Sequence, residues 1–208
     1  MLGRTRDLWE RQTQLVGDRR RLFSAVADAI ETVTVLYPGS YVDLTPSFVW
    51  PSVTYVDVDR RANRFFGDAD GVRELLDENS ADARGHTVRF IHTDYQQRLD
   101  LRDGSFDLLI SLYAGFVSEH CTRYLRVGGH LVVNPSHGDA AMASIDARYR
   151  LSAVVGASDH GYALTTSDLD TYLVGKRDVE VNVEYLHRTG RGIDYTRSAF
   201  AYLFQRVE

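Results

Sequence analysis

Residues 32–59 have the sequence TVTVLYPGSYVDLTPSFVWPSVTYVDVD, and this stretch decides the fold. The β-branched and apolar run Thr32–Tyr37 predicts a first strand, which a Pro-Gly pair ends, and Val53–Asp59 predicts a second strand. A glycine after the first strand lets the backbone turn tightly and approach a ligand closely. The second strand ends in two carboxylates, Asp57 and Asp59.

The rest of the chain continues the alternation of strand and helix. Further strands are predicted over 87–92, 106–112, 129–134, 149–156 and 199–206, and helices over 60–79, 115–126 and 167–175, the last capped by Ser167. Residues 178–188 alternate as in a strand, but we favour a helix there. Apolar strands separated by helices are typical of βαβ units with a parallel sheet that is covered on both faces.

The sequence of residues 1–30 predicts two arginine-rich helices, and Asp18 is a possible cap between them. We interpret this segment as an N-terminal arm, followed by one domain over 31–208. Two packing hypotheses stay open. Either the arm closes over the carboxyl end of the sheet and attracts an anionic acceptor, or it packs on a sheet face with Arg19, Arg20 and Arg21 in solvent.

Composition excludes several classes of protein. The 208 residues carry a formal net charge of −5, which argues against a general nucleic-acid binder. The single cysteine, Cys121, excludes a disulfide framework within the chain and is interpreted as a small core residue. The seven histidines show no metal-binding spacing, so no metal is expected. With no long apolar stretch and no signal-peptide pattern at the N-terminus, we expect no membrane segment and a cytoplasmic protein.

Polar residues follow the predicted strands, where open α/β sheets bind their ligands. Asp57 comes 18 residues after Gly39, the spacing at which a carboxylate holds a ribose. The other strand-end candidates are Asp94 after strand three, Ser111 and Tyr113 after strand four, and Asn134 and His137 after strand five.

This order of elements over residues 31–135 resembles the class I S-adenosylmethionine-dependent methyltransferases. Leu36–Asp43, Phe106–Ile110 and Tyr124–Val133 are similar to the family's first turn, fourth strand and fifth strand with its double glycine. The resemblance implies a Rossmann-like, doubly wound sheet of seven mostly parallel strands with an antiparallel last strand and helices on both faces. It also implies S-adenosylmethionine as cofactor. The residues that it assigns to cofactor binding are Tyr37, Gly39, Ser40, Asp43, Asp57 for the ribose, Asp94 for the adenine amine, and Ser111.

The turn departs from the family pattern of three alternating glycines. Gly39, Tyr41 and Asp43 stand at the three glycine places, and Tyr37 stands where the family has an acidic residue. Because tyrosine tolerates positive φ poorly, we expect the turn to take a different path at Tyr41. Asp43 could then supply the missing carboxylate from the other side of the loop.

The leading hypothesis is methyl transfer to a small-molecule acceptor, with His137, Tyr113 and Asn134 as the catalytic candidates and His137 as a general base. The alternative is a non-catalytic Rossmann-like scaffold that has lost cofactor binding. A nicotinamide dehydrogenase is disfavoured, since the sequence lacks GxGxxG. Simpler roles stay open for several candidates: a helix cap for Asp57 and Asp59, an ordinary turn for Asp94, and a turn for residues 134–139. A homo-oligomer is also left open.

Overall fold

The computed structural model describes residues 2–16, 19–80, 85–159 and 161–208. The chain divides into two compact units, Met1–Asp94 and Tyr95–Glu208. The cap predicted at Asp18 lies outside the described residues. Among the helices in these ranges, none has the length and apolar content that crossing a membrane requires.

The first unit contains three parallel strands in the order β3-β2-β1. Its elements in chain order are α1 (Leu2–Val16), α2 (Arg19–Ala29), β1 (Thr34–Pro38), a 3-10 turn (Thr45–Phe48), β2 (Ser52–Asp57), α3 (Arg60–Gly67), α4 (Ala69–Asn79) and β3 (Thr87–His92). Val35 and Leu36 are consecutive in β1 and both fully buried. Because successive strand residues point to opposite faces, both faces of β1 are covered, as its apolar sequence predicts.

The N-terminal helices pack against other elements of the first unit. Arg6 of α1 forms two hydrogen bonds with Glu78 of α4, at 2.9 and 2.6 Å. Thr5 Oγ1 donates to Asp68 Oδ2 over 2.6 Å, and the Trp9 ring meets Phe48 edge-on at 5.9 Å. Two helices over residues 1–30 are thus confirmed, while the closing of an arm over a site stays a prediction.

The helix predicted over 60–79 is two helices, because Asp68 interrupts it. Asp68 follows the last residue of α3 and has non-helical backbone angles. Its carboxylate accepts a hydrogen bond from Gly71 N at 3.3 Å and so caps α4. An aspartate competes with helical hydrogen bonding through its short side chain, and this favours a break at such a position.

The second unit contains five strands in the order β4-β5-β8-β6-β7. Its elements are β4 (Phe106–Ser111), α5 (Val117–Cys121), a 3-10 turn (Thr122–Tyr124), β5 (Leu125–Val133), α6 (Asp139–Ile145), β6 (Tyr149–Ser158), β7 (Gly161–Thr165), a 3-10 turn (Leu169–Leu173), α7 (Val183–Thr189) and β8 (Ala201–Arg206). β4 and β5 are parallel, whereas β8 is antiparallel to both β5 and β6. The antiparallel last strand is therefore confirmed.

The described residues contain eight strands, so the expected number of seven is wrong. The additional strand is β7, which pairs antiparallel with β6. Its residues are exposed or half-buried, and they lack the apolar run by which the other strands are recognised in the sequence. Five of the eight, β1 to β5, have a parallel partner in the described parts of the chain, in agreement with a mostly parallel α/β fold.

The fifth strand begins earlier than expected, at Leu125 rather than at Gly129. The helical stretch predicted over 115–126 ends at Tyr124. Gly128 has φ = 81°, so a glycine lies within the strand where the sequence suggested a turn before it. A Cβ at Gly129 would lie 2.8 Å from the carbonyl oxygen of Asp107, and this close strand contact explains the second glycine.

The structure of the last third of the chain agrees in most respects with the elements that the sequence predicts. β6 confirms the strand predicted over 149–156. The short helix is the 3-10 turn Leu169–Leu173, preceded by Asp168 at φ = 53° and not capped by Ser167. The helix favoured over 178–188 occurs as α7, which Asn182 caps by accepting from Tyr185 N at 2.9 Å.

Candidate functional site

The turn after β1 has left-handed backbone at two of the three family glycine places. Gly39 has φ = 66° and Tyr41 has φ = 50°. Gly39 N donates to Val56 O of β2 at 2.8 Å, so the turn begins within the strand ladder. The expectation that tyrosine would avoid a positive φ at residue 41 is wrong. A left-handed L-residue costs about 1–2 kcal/mol, and other contacts must offset that cost.

Asp57, the last residue of β2, supplies one of those contacts. Its Oδ2 accepts a hydrogen bond from Tyr41 N at 2.7 Å, and its Oδ1 accepts from Asp59 N at 2.7 Å. One carboxylate therefore joins the turn after β1 to the start of α3. Each carboxylate oxygen has two lone pairs, so each one retains capacity for a further donor.

Two neighbours complete this arrangement. The Arg61 guanidinium lies over the Tyr41 ring, 5.3 Å from its centre, in a cation–π contact. Asp59 caps α3 by accepting from Arg61 N at 2.6 Å, which confirms the capping interpretation. Its pKa is lowered, chiefly by the hydrogen bond from the Arg61 side chain.

Tyr37 and Asp43 lie inside the unit rather than at its surface. Tyr37 is fully buried and Asp43 is 2% exposed. The Arg19 guanidinium donates to Asp43 Oδ2 at 2.5 Å and to the Tyr37 hydroxyl at 2.9 Å, and Thr45 N donates to Asp43 Oδ1 at 3.2 Å. Burial raises the pKa of Tyr37 well above its ordinary value, and Asp43 adds to the rise. These groups therefore stabilise the turn from within.

Arg19 is a residue of the candidate site that the sequence interpretation missed. Arg19 is 6% exposed. The hypothesis that Arg19, Arg20 and Arg21 all lie in solvent is therefore wrong for Arg19. The signal was the helical spacing: Arg19, Leu22, Phe23 and Val26 are the buried residues of α2. These positions repeat every three or four residues, which places them on one face of the helix.

Ser40 and Asp94 complete the predicted positions of the first unit. Ser40 is 2% exposed, with its hydroxyl 3.4 Å from Tyr41 O. Asp94 is half-buried, two residues beyond β3. Both residues therefore lie just beyond the carboxyl end of a parallel strand, Ser40 after β1 and Asp94 after β3.

In the second unit, Ser111 belongs to a buried cluster around Asp139. The Asp139 carboxylate is 2% exposed and accepts from Ser111 Oγ at 2.5 Å and from Ser118 Oγ at 2.5 Å. Ser118 N also donates to it at 3.1 Å. Burial raises the pKa of Asp139 to about 6, although the serine hydrogen bonds oppose that rise. Asp139 thus joins the end of β4 to the starts of α5 and α6.

The three catalytic candidates of this unit are connected through hydrogen bonds. Tyr113 has φ = 57°, and its N donates to Asn134 Oδ1 at 3.1 Å. Ser136 Oγ donates to the same oxygen at 3.2 Å and lies 2.9 Å from His137 Nδ1. Ser136 is a second residue of the candidate site that the sequence interpretation missed, and its place between Asn134 and His137 was the available signal.

The tautomer of His137 depends on which group receives the single hydroxyl proton of Ser136. When Ser136 donates to Asn134 Oδ1, Nδ1–H of His137 donates to Ser136 Oγ, and the other ring nitrogen, Nε2, carries the lone pair. The His137 and Tyr113 side chains are both exposed. An exposed imidazole with a free Nε2 can accept a proton from a bound molecule.

The loop around Gly192 packs closely on this segment. A Cβ at Gly192 would lie 1.8 Å from Pro135 O, and one at Gly138 would lie 2.9 Å from Arg191 O. The approach of the two loops therefore requires glycine at 192.

Cys121 is fully buried, which confirms it as a core residue. In the ranges that the structure describes, no group of three His, Cys, Asp or Glu side chains could hold a metal ion.

No protein-family model matches this sequence, and the curated proteins contain no match to it. Among solved structures, a proposed O-methyltransferase from Klebsiella pneumoniae matches 77% of this chain and 86% of its own, with 10% identity and a TM-score of 0.50. A protein from Corynebacterium glutamicum matches 79% of this chain and 88% of its own, with 13% identity and a TM-score of 0.50.

The two matches with a TM-score of 0.50 show a Rossmann-like α/β fold, which the proposed O-methyltransferase from Klebsiella pneumoniae shares. This fold agrees with the fold that the resemblance over residues 31–135 implies. A proposed methyltransferase from Bacillus halodurans is 18% identical over 62% of this chain, with a TM-score of 0.42. This chain covers 56% of that protein, little more than half of its length.

Proposed function

We propose that this chain binds S-adenosylmethionine and transfers its methyl group to a small-molecule acceptor. The observation that carries the proposal is the Tyr41–Asp57 hydrogen bond of 2.7 Å, which holds a left-handed turn against an acidic strand end. Residues in unfavourable backbone regions persist where the surroundings enforce them, and they cluster at ligand sites. The turn has positive φ at Gly39 and at Tyr41, although only the first of the three family glycines is present.

The residues present fit the cofactor. A ribose offers two hydroxyl donors, and Asp57 has one unused lone pair on each oxygen after its two backbone hydrogen bonds. We propose that Asp57 accepts from the ribose and that Asp94 accepts from the adenine amine. The backbone at Gly39 and Ser40 would hold the methionine part. Tyr37 and Asp43 would hold the turn through their hydrogen bonds with Arg19. Ser111 would contribute through its hydrogen bond to Asp139.

S-adenosylmethionine supplies a methyl group on a positively charged sulfur, which a nucleophile can accept directly. The chain must therefore orient the acceptor and, where the acceptor is protonated, take its proton. We assign proton acceptance to Nε2 of His137, whose other nitrogen is held by Ser136. Asn134 and Tyr113 would orient the acceptor.

Calorimetric titration with S-adenosylmethionine tests the cofactor assignment. We expect the wild type to bind, and Asp57→Ala to bind at least about tenfold more weakly, since a charge-assisted hydrogen bond contributes roughly 1.5–3 kcal/mol. Asp59→Ala is the matched control, because it removes a carboxylate two residues away that caps α3 and pairs with Arg61 but is not assigned to the cofactor. Absence of binding by the folded wild type would leave the non-catalytic scaffold as the function.

Methyl transfer from labelled cofactor to a library of small nucleophiles tests the second step. We expect His137→Gln to lower turnover while the affinity for S-adenosylmethionine stays unchanged. Ser136→Ala should shift the pH profile of turnover, because Nδ1 loses its hydrogen-bond partner. Equal turnover and an equal pH profile in all three proteins would remove His137 and Ser136 from the reaction.

A further inference from the structure

Helices α1 and α3 of the first unit line a common groove with several arginines. The groove has a volume of about 300 Å³. Its lining residues are Arg4, Asp7, Leu8 and Arg11 of α1 and Arg61 and Arg64 of α3. The four α1 positions repeat every three or four residues, so they lie on one helix face, and the two α3 positions are one turn apart. We call this the arginine groove.

A second cavity shares three residues with the arginine groove. It has a volume of about 460 Å³ and is also lined by Arg4, Leu8 and Arg64. Its other lining residues are Gly3, Thr5, Phe65 and Asp68, and the Asp68 carboxylate accepts a hydrogen bond from Thr5. A ligand in the arginine groove could therefore extend over an apolar surface, as most small-molecule sites allow.

The charges of the groove are unbalanced. Four arginines face one carboxylate that lines the cavity, Asp7. Arg61 is paired with Asp59 at 3.0 Å, whereas Arg4, Arg11 and Arg64 form no ion pair with any described residue. Like charges that share a cavity repel one another, and a bound anion removes that repulsion. Guanidinium groups also match the paired oxygens of phosphate groups.

We propose that the arginine groove binds a small molecule with a di- or triphosphate group. Arg4 and Arg11 are seven residues apart, which corresponds to about 10 Å along a helix. A polyphosphate chain can engage guanidinium groups along that length, whereas a single phosphate or carboxylate offers fewer oxygens for them. The volume of a few hundred Å³ and the net charge of −5 favour a small molecule over a nucleic acid.

The groove adjoins the turn of the proposed cofactor site. Arg61 lines the groove, and the same guanidinium lies over the Tyr41 ring at 5.3 Å. A polyphosphate that engages Arg61 would therefore act on a residue that contacts the turn at the Tyr41 ring. The polyphosphate site itself does not depend on the proposed methyl transfer, because its residues and its ligand differ from those assigned to S-adenosylmethionine.

Titration of the full chain with inorganic tripolyphosphate at constant ionic strength tests the proposal. We expect tripolyphosphate to bind at least about tenfold more tightly than sulfate or orthophosphate, because more charged hydrogen bonds form. Arg4→Gln with Arg64→Gln should weaken tripolyphosphate binding about tenfold or more. Asp7→Asn should strengthen it, since it removes the carboxylate from the groove. All three positions carry surface side chains, so the variants should keep the wild-type thermal midpoint.

Arg89→Gln is the matched control, because it removes an exposed arginine of β3 outside the groove. It should leave tripolyphosphate affinity unchanged. The proposal is overturned if tripolyphosphate binds no better than sulfate, or if the groove variants bind it as well as Arg89→Gln does. Tighter binding of a short single-stranded oligonucleotide than of tripolyphosphate would also overturn it. Repeating the titration with Asp57→Ala separates this site from the cofactor site, since tripolyphosphate affinity should not change there.

Discussion

The backbone N–H of Tyr41 donates to Asp57 Oδ2 over 2.7 Å while Tyr41 has φ = 50°. The hydrogen bond and the backbone conformation are connected, because the left-handed path of the turn directs this N–H toward the end of β2. Tyr113 repeats the relationship in the second unit: it has φ = 57°, and its N donates to Asn134 Oδ1 at 3.1 Å. Two strand ends thus have a left-handed tyrosine whose amide is held by a side-chain oxygen.

The first prediction concerns the backbone at residue 41. Replacing a glycine by alanine stabilises a protein by about 0.4–1 kcal/mol where alanine can adopt the backbone conformation without strain. Where φ is positive, the alanine variant is instead the less stable of the two. We therefore expect Tyr41→Gly to be more stable than Tyr41→Ala by about 1 kcal/mol, since both lack the ring and only alanine is strained. Urea unfolding measures the difference. Ala27→Gly in α2 is the control, and this glycine variant should be less stable than the wild type with alanine at that helical position.

The second prediction concerns the buried pair of Arg19 and Asp43. Removing one member of a buried ion pair typically costs about 3–5 kcal/mol, because the other charge is left without compensation. We expect Arg19→Leu to lower the free energy of unfolding by about 3 kcal/mol or more. Arg20→Leu, at an exposed neighbour, should change it by less than about 0.5 kcal/mol.

The double variant Arg19→Leu with Asp43→Asn distinguishes this ion pair from simple packing. Asparagine keeps an acceptor for the Thr45 amide but carries no charge. We expect the double variant to be more stable than Arg19→Leu alone. If the two substitutions instead destabilise additively, Arg19 contributes through packing and not through its charge.

The third prediction concerns the pH dependence of stability at Asp139. Burial raises its pKa from 3.8 to about 6 in the folded protein. The folded state therefore binds more protons than the unfolded state between these values, so this contribution to stability is present below pH 4 and is lost as the pH rises through about 6. At about 1.4 kcal/mol per pKa unit, the loss is about 3 kcal/mol.

Unfolding of the wild type and of Asp139→Asn from pH 4 to pH 7 measures this effect. The wild type should lose stability relative to the variant across that range and then level off. Asp146→Asn provides the contrast. Burial raises the pKa of Asp146, but the hydrogen bonds from Arg148 outweigh burial and leave its pKa below the ordinary value. Its contribution should therefore be lost on acidification below about pH 4, in the opposite direction, so the Asp146→Asn comparison extends below pH 4.

The sequence was sufficient to find Asp57, because its position depends on local rules. A carboxylate that ends a strand after a glycine turn can be located by spacing alone, and the structure places it against that turn. The alternation of strands and helices along the chain could be predicted from local rules too, because apolar runs of the right length alternate with helical segments. The antiparallel direction of β8 was expected only from the family resemblance.

Other features depend on contacts between distant residues, which local patterns do not contain. The left-handed path at Tyr41 contradicts the propensity of tyrosine, and it is held by Asp57, 16 residues away. The burial of Arg19 among three consecutive arginines depends on Asp43, 24 residues away. β7 was missed because an edge strand with half-exposed residues has no apolar run to reveal it.

The last prediction concerns the contact between Gly192 and the segment that contains Asn134 and His137. A Cβ at residue 192 would lie 1.8 Å from Pro135 O, far inside van der Waals contact, and a backbone atom cannot move aside as a flexible side chain can. We expect Gly192→Ala to lower the free energy of unfolding by about 1–3 kcal/mol, the range for overpacking. Gly67→Ala is the control, because a Cβ there meets no atom within 4 Å. The stability of the Gly67→Ala variant should equal or slightly exceed that of the wild type. Thermal unfolding compares the two, and the proton NMR shifts of His137 report whether the segment moves. An unchanged midpoint and unchanged shifts in Gly192→Ala would mean that the two loops do not touch in solution.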